Sequence, residues 1–235
     1  MATSAVILAA GRGTRLRPIT DSTPKAMVEV GGSPLLSRIV SELLACQVRT
    51  IVFVVGHLGK RISDYYGTGA EYGASFFYVR QQELNGTGGA LRLAREHVSD
   101  KFLVIFGDSF FGIGSVQTIL ASDWQQAIGV IKVSDPRRFG IVEVDPDRRI
   151  TNVVEKPERP KSNLAIAGLY KLESTCWKYI DNLVPSVRKE LEIPDAIQAM
   201  LRDQHAIGAV ELRTMIDVGT LDDLAYAREL AAKGV

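Results

Sequence analysis

The stretch from Leu8 to Met27, LAAGRGTRLRPITDSTPKAM, gathers residue types suited to holding a polyphosphate. Gly11 and Gly13 let backbone N–H groups approach an anion closely, while Arg12, Arg15, Arg17 and Lys25 supply cations for several phosphate oxygens. A tight turn with solvated arginines has the same composition, so the loop alone leaves both readings open. Spacing removes two familiar phosphate loops. A dinucleotide fingerprint needs a third glycine where this chain has Leu16, and Pro18 and Pro24 prevent a helix from starting directly after the turn. No GxxxxGK[ST] run occurs. Two acids complete the set: Asp108 ends the apolar run FLVIFGD, and Asp217 follows a short run in IDVGT. Both carboxylates belong at the end of a sheet where α/β proteins bind ligands, and two acids converging on a triphosphate are a usual way to hold Mg²⁺. Each alone would equally serve as a cap or turn aspartate. GDSFF is no hydrolase elbow, because that turn needs a final glycine and position 111 is Phe.

The elements that must position these residues alternate along the first half. Continuous apolar runs at AVILA (from Ala5), TIVFVV (Thr50), SFFYV (Ser75), FLVIFG (Phe102) and AIGVIKV (Ala127) predict strands buried on both faces. Between the first two, Leu35, Ile39 and Leu43 form one stripe beside Leu36, Val40 and Leu44, which predicts an amphipathic helix capped by Ser33 and Pro34. TGGALRLAREHV and SVQTILAS supply two more crossovers, so the pattern is βαβαβ: an α/β fold with a doubly wound, mostly parallel, Rossmann-like sheet in three αβα layers. After about residue 136, GIVEV, ITNVVEKP and LAIAGLYKL predict a second, partly antiparallel layer. Helices are expected at Ser174–Asn182, Asp195–Asp203 and Leu221–Ala232, with a strand near Gly208–Leu212.

Bulk properties fit one enzyme-sized unit. The 235 residues are 46% hydrophobic and 23% charged, which leaves no room for extended disorder. A net charge of +1 lacks the positive field that non-specific nucleic-acid binding requires. AVILAA is too short for a membrane span and has no basic lead-in of a signal peptide, so a cytoplasmic protein is expected. Cys46 and Cys176 are far apart without CxxC spacing and read as buried thiols; His57, His97 and His205 are isolated, which disfavours zinc.

LAAGxGTRLRPxT followed by PK resembles the signature of sugar-1-phosphate nucleotidylyltransferases, also called sugar-nucleotide pyrophosphorylases. The likeness continues through QQELNGTGGAL, GD at Gly107 and Asp108, FGIVE, VVEKP, SNLAIAGLY, ELEIPD and IDVGT, and so covers nearly the whole chain. It implies a single domain over 1–235, with a nucleotide-binding half (1–135), a small mixed, partly antiparallel sugar-phosphate half (136–220) and a C-terminal helix (221–235). It implies that Leu8, Ala10, Gly11, Gly13, Thr14, Gln81, Gly86, Thr87 and Asp108 bind the nucleotide. Gly140, Glu155, Lys156, Asn163, Ile166 and Gly168 would hold the sugar phosphate, Asp108 and Asp217 would hold Mg²⁺, and Arg15, Lys25 and Lys156 would be catalytic.

Outside that frame, an EK pair is solvated surface and a glutamine before a turn is exposed; Gln82 is a further candidate beside Gln81. A glutamine amide offers one donor and one acceptor, matching the C=O and N–H of uracil or thymine. The implied reaction is in-line attack of a sugar-phosphate oxygen on the α-phosphorus of a nucleoside triphosphate, with pyrophosphate leaving. SNLAIAGLY and ELEIPD are similar to glucose-1-phosphate thymidylyltransferases, which favours glucose 1-phosphate with dTTP or UTP. Ser109, where Asn is usual, and Phe139, where Tyr is common, depart from that pattern. LNGTGGAL also resembles guanylyltransferases for mannose or heptose phosphates. A catalytically silent sugar-nucleotide-binding subunit is the non-enzyme alternative, disfavoured because Arg15, Lys25, Asp108, Lys156 and Asp217 are all present. An NAD-type oxidoreductase is disfavoured by Leu16 and the two prolines. The chain stops soon after its last helix, so no acetyltransferase domain is expected. The resemblance further implies a homo-oligomer, though no stretch identifies an interface.

Overall fold

The computed structural model describes residues 4–235. Four parallel strands form its centre: β1 (Ser4–Ala9), β2 (Thr50–Val55), β3 (Ser75–Arg80) and β4 (Lys101–Phe106). Their order is β3-β2-β1-β4, with Val6 of β1 opposite Val52 and Val104. Alternate residues point to opposite faces. Val6, Val52, Val54 and Val104 enter one core, and Ile7, Ile51, Phe53 and Ile105 enter another, so the apolar runs of β1, β2 and β4 are explained by burial on both sides, whereas β3, expected to be buried likewise, is the sheet edge: it buries Phe76 and leaves Phe77 exposed.

Helices cover both faces, giving three layers. α1 (Leu35–Ala45), α2 (Gly59–Tyr66) and, further along, α4 (Ser115–Leu120) bury Leu36, Ile39, Ile62 and Ile119 on the Ile7 side. On the Val6 side, α3 (Thr87–Leu93), α5 (Trp177–Asp181) and α6 (Ile193–Arg202) bury Leu91, Trp177, Ile180, Ile197 and Met200. The N-cap of α1 is Pro34, and no side chain caps it; Ser33 instead pairs with Val30 in a two-residue ribbon, so the expected serine cap is not formed.

The later strands do not make a separate layer, because all but two of them join the same hydrogen-bonded sheet. These are β5 (Ser109–Phe111), β6 (Gln126–Lys132), β7 (Gly140–Val144), β8 (Ile150–Glu155), β9 (Leu164–Glu173), β10 (Ile207–Glu211) and β11 (Met215–Asp217). Long β9 is the branch point: its second half pairs antiparallel with β4, its first two residues pair with β7, and its other edge pairs with β6. Gly168 sits at the irregularity with φ +73°, and a Cβ there would lie 2.8 Å from the Phe106 ring. β5 and β11 stand apart as a two-stranded antiparallel ribbon. A third core of Leu16, Val28, Leu35, Phe110, Val218 and Leu224 ties the Gly-rich loop to that ribbon and to α7 (Leu221–Ala232). Leu16, which stands where the dinucleotide pattern has glycine, is fully buried there.

Thr220 caps α7 in a reciprocal capping box with Asp223. Cys176 is buried as expected, but Cys46, at the end of α1, is only half-buried. No helix among the described residues is long and apolar enough to cross a membrane.

Candidate active site

Parallel strands put their C-terminal ends along one edge of the sheet, where α/β proteins collect ligands. β3 delivers Gln81, β1 delivers Ala10 and Gly11, and β4 delivers Asp108, all into one cleft of ≈ 380 Å³. Antiparallel β9 brings Ile166 and Gly168 to the same edge, and the β7–β8 pairing sets Glu155 opposite Gly140. Leu8, Arg15, Lys25, Gly86, Thr87, Lys156 and Asp217 complete the expected residues that line it.

Three expected residues do not line the cleft. Gly13 lies behind it: its φ is +63°, its carbonyl accepts from Thr20 Oγ1 at 2.7 Å, and a Cβ would lie 3.0 Å from Lys25 Cβ. Its bareness lets the loop fold down on Lys25. Thr14 begins the single turn Thr14–Leu16, and Asn163 uses its carbonyl to accept from the Val133 N–H at 3.0 Å. The loop cations also divide. Arg15 and Lys25 face the cleft, whereas Arg17 pairs with Asp21 at 3.1 Å on the surface and Arg12 is exposed outside it.

At the centre, Lys25 Nζ donates to Asp108 Oδ2 at 2.6 Å and lies 3.5 Å from Asp217 Oδ1. The ribbon brings the acids together: Asp217 is in register with Ser109, and the Val218 N–H donates to the Asp108 carbonyl at 3.1 Å. Burial pulls the Lys25 ammonium down, but the two aspartates outweigh it, so its pKa lies above the ordinary lysine value. Burial and then the Asp108 charge push the Asp217 carboxyl above the usual carboxylate range, against Lys25 and Arg15. Two mutually repelling hard-oxygen donors beside a phosphate-type loop are chemically suited to Mg²⁺. Among the described residues no third His, Cys, Asp or Glu joins them, so further ligands would come from phosphate oxygens and water.

Beyond this centre lies a charge cluster built on Arg188, a residue that nothing in the sequence singled out. Arg188 Nη2 lies 2.9 Å from Glu192 Oε1, 3.3 Å from Glu190 Oε2 and 3.4 Å from Glu155 Oε1, and all four residues line the cleft. Burial and then Glu192 hold Glu155 above the ordinary carboxylate range, against Lys156 and Arg188. Lys156 Nζ stands 3.7 Å from Glu155 Oε1, and its backbone N–H donates to the Phe139 carbonyl at 3.0 Å. A Cβ at Gly140 would lie 2.8 Å from Glu155 Oε2, so glycine there admits the carboxylate. Charges spaced as in SVRKELE have the texture of a solvated surface; ELEIPD, already within the resemblance, was the available signal.

In the turn before α3, Gln81 is buried and Gln82 is exposed outside the cleft. Gln81 Nε2 donates to Asn85 Oδ1 at 3.1 Å and to the Gly86 carbonyl at 3.3 Å. The expectation that this amide offers a base both a donor and an acceptor therefore needs correction, because its donors are already used. The base-end turn and the ELEIPD segment are stitched together: the Leu191 N–H donates to the Asn85 carbonyl at 2.7 Å and the Gly88 N–H to the Leu191 carbonyl at 2.8 Å.

With this geometry in hand, the likeness to known proteins can be weighed. The nucleotidyl transferase family profile matches residues 4–234. A bifunctional protein GlmU from Methanococcus maripaludis is 38% identical over 84% of this chain and 46% of its own length. A UTP–glucose-1-phosphate uridylyltransferase, AglF, from Haloferax volcanii is 34% identical over 96% of this chain and 95% of its own. A Bacillus anthracis protein assigned as a glucose-1-phosphate thymidylyltransferase, crystallised with sucrose, superposes with a TM-score of 0.86 at 34% identity, covering 97% of this chain and 94% of its own. The chain spans about half the length of the GlmU relatives it matches.

Proposed function

The chain belongs to the nucleotidyl transferase family, and we propose that it transfers a nucleotidyl group from UTP or dTTP to glucose 1-phosphate, releasing pyrophosphate. One observation carries this reading: Gln81, the Arg15–Lys25–Asp108–Asp217 group and the Glu155–Lys156 pair all line a single cleft. The likeness to AglF and to the Bacillus protein supports the choice of donor and acceptor.

The chemistry follows from the residues. An oxygen of the sugar phosphate attacks the α-phosphorus; the new O–P bond forms as the bond to the β-phosphate oxygen breaks, and the electron pair leaves with pyrophosphate. An anionic nucleophile needs no general base, so the protein's work is positioning and charge neutralisation. Arg15 and the Gly11 N–H hold the leaving phosphates, Lys25 faces the reacting phosphate, and Lys156 orients the incoming sugar phosphate. Glu155 accepts hydrogen bonds from sugar hydroxyls. Asp108 and Asp217 would hold Mg²⁺, which would supply neutralisation of the triphosphate charge.

A grid of pyrophosphate-release assays, five nucleoside triphosphates against glucose, mannose, galactose and N-acetylated sugar 1-phosphates with Mg²⁺, tests the reading. A peak for UTP or dTTP with glucose 1-phosphate supports it. A peak for GTP with mannose 1-phosphate keeps the reaction and overturns the substrates, and silence throughout overturns the reaction itself.

A further inference from the structure

One side of the Gln81 amide is saturated. An amide nitrogen carries two N–H donors, and here one meets Asn85 Oδ1 and the other the Gly86 carbonyl. A backbone carbonyl can only accept, so the end of Gln81 facing Gly86 must be the nitrogen. Gln81 is thus left with its Oε1, an acceptor, for a ligand. Gly86 precedes the first turn of α3, so its N–H lies outside the helix ladder, and it donates no hydrogen bond among the described residues. An acceptor and a donor on one turn fit a base edge that offers N–H next to C=O, as uracil, thymine and guanine do. They mismatch the bare ring nitrogen of cytosine.

We infer that Asn85 is the positioning residue that imposes this choice, an inference that rests on the nucleotidyl-transfer reading. The Gly86 carbonyl occupies only one N–H of Gln81. Without Asn85 the second is free to serve the ring nitrogen of cytosine, and discrimination falls. Asn85 is itself held in place: its N–H donates to the Glu83 carbonyl at 2.9 Å, and its carbonyl accepts from Leu191. Its side chain lies over Gly89, where a Cβ would fall 2.0 Å from Asn85 Oδ1 and 2.7 Å from its Cγ. The second glycine of TGG therefore makes room for the clamp rather than touching the ligand.

Calorimetric binding of UTP, CTP and GTP to the full chain with Mg²⁺ tests this in four forms: wild type, Asn85→Ala, Gly89→Ala and Asn85→Asp. Wild type should bind UTP about tenfold or more tightly than CTP, the worth of one well-placed hydrogen bond. Asn85→Ala, and Gly89→Ala by displacing the Asn85 side chain, should bring that ratio to within about threefold, mostly by gaining CTP. Asn85→Asp keeps the acceptor and should keep the ratio. An unchanged ratio in both the alanine variants, or a ratio lost in Asn85→Asp, overturns the inference. If Asn85→Ala does not fold, Gly89→Ala decides, because the atoms it meets are the far end of one side chain. Nuclear magnetic resonance of the ligand-free protein separates this inference from the functional reading. Both Gln81 side-chain amide protons should exchange slowly, and rapid exchange of either overturns the clamp. Failure of wild type to bind dTTP as well as these three nucleotides overturns the transferase reading while the exchange result still decides the clamp.

Discussion

Replacing Lys25 by Met removes one ammonium from between two carboxylates while keeping the aliphatic stem. Lys25 is 9% exposed, whereas the Asp108 and Asp217 side chains are 31% and 38% exposed. Breaking a fully buried ion pair costs about 3–5 kcal/mol, and partial solvation of the aspartates lowers this to about 1–3 kcal/mol. For a chain of this size each kcal/mol moves Tm by roughly 2–4 °C, so a drop on the order of 2–12 °C is expected. Loss of a cation at the reacting phosphate should separately lower kcat/KM about a hundredfold or more. pH supplies the sharper test. The folded pKa of Lys25 lies above its ordinary 10.5, so its stabilisation is full below that value and is lost as pH rises through the folded value. The Tm gap between wild type and Lys25→Met should thus stay constant at neutral pH and close in the alkaline range above 10.5. Scanning calorimetry across pH measures it. A variant with wild-type Tm and turnover, or a gap that widens with alkali, refutes the reasoning.

Glu155 titrates in the opposite sense: its folded pKa is raised above the ordinary carboxylate value of 4.5, so ionising it costs stability as pH rises through that window. Glu155→Gln should gain stability relative to wild type from acid to neutral pH in thermal melts, and should raise KM for the sugar phosphate at pH 7 with little change in KM for the nucleotide. Gly208→Ala places a Cβ 2.1 Å from Trp124 Cγ, in a ring that cannot swing aside cheaply, and should destabilise the fold by about 1–3 kcal/mol in urea titration. Burial holds the Cys176 thiol up to about 12, so a thiol reagent at pH 8 should modify half-buried Cys46 first. Mass spectrometry should find Cys176 unlabelled until denaturant is added; equal rates at both would contradict its burial.

The parallel core was legible because its strands are apolar runs with no competing period, and three of the four lead to a residue that could meet a ligand: Ala10, Gln81, Asp108. The joining of the later strands into one sheet was not, because that depends on β9 serving three neighbours, a fact of pairing rather than of local pattern. Asp108 and Asp217 were each found, but their adjacency is made by two three-residue strands, too short to show a period. The Arg188 cluster stayed hidden because charge pairs close across the cleft, from Glu155 to Glu192, leave no trace in spacing. Asn85 reads as an ordinary turn residue beside Gly86, and only the saturated amide of Gln81 reveals what it does.

The central claim is that one cleft holds a nucleoside triphosphate and a sugar phosphate for nucleotidyl transfer. UTP labelled at its α-phosphate, mixed with glucose 1-phosphate, Mg²⁺ and the protein, tests it most directly. The label should move into UDP-glucose with one pyrophosphate released for each nucleotide sugar formed. Label appearing in free UMP without a nucleotide sugar, or remaining in UTP although both ligands bind, would contradict it.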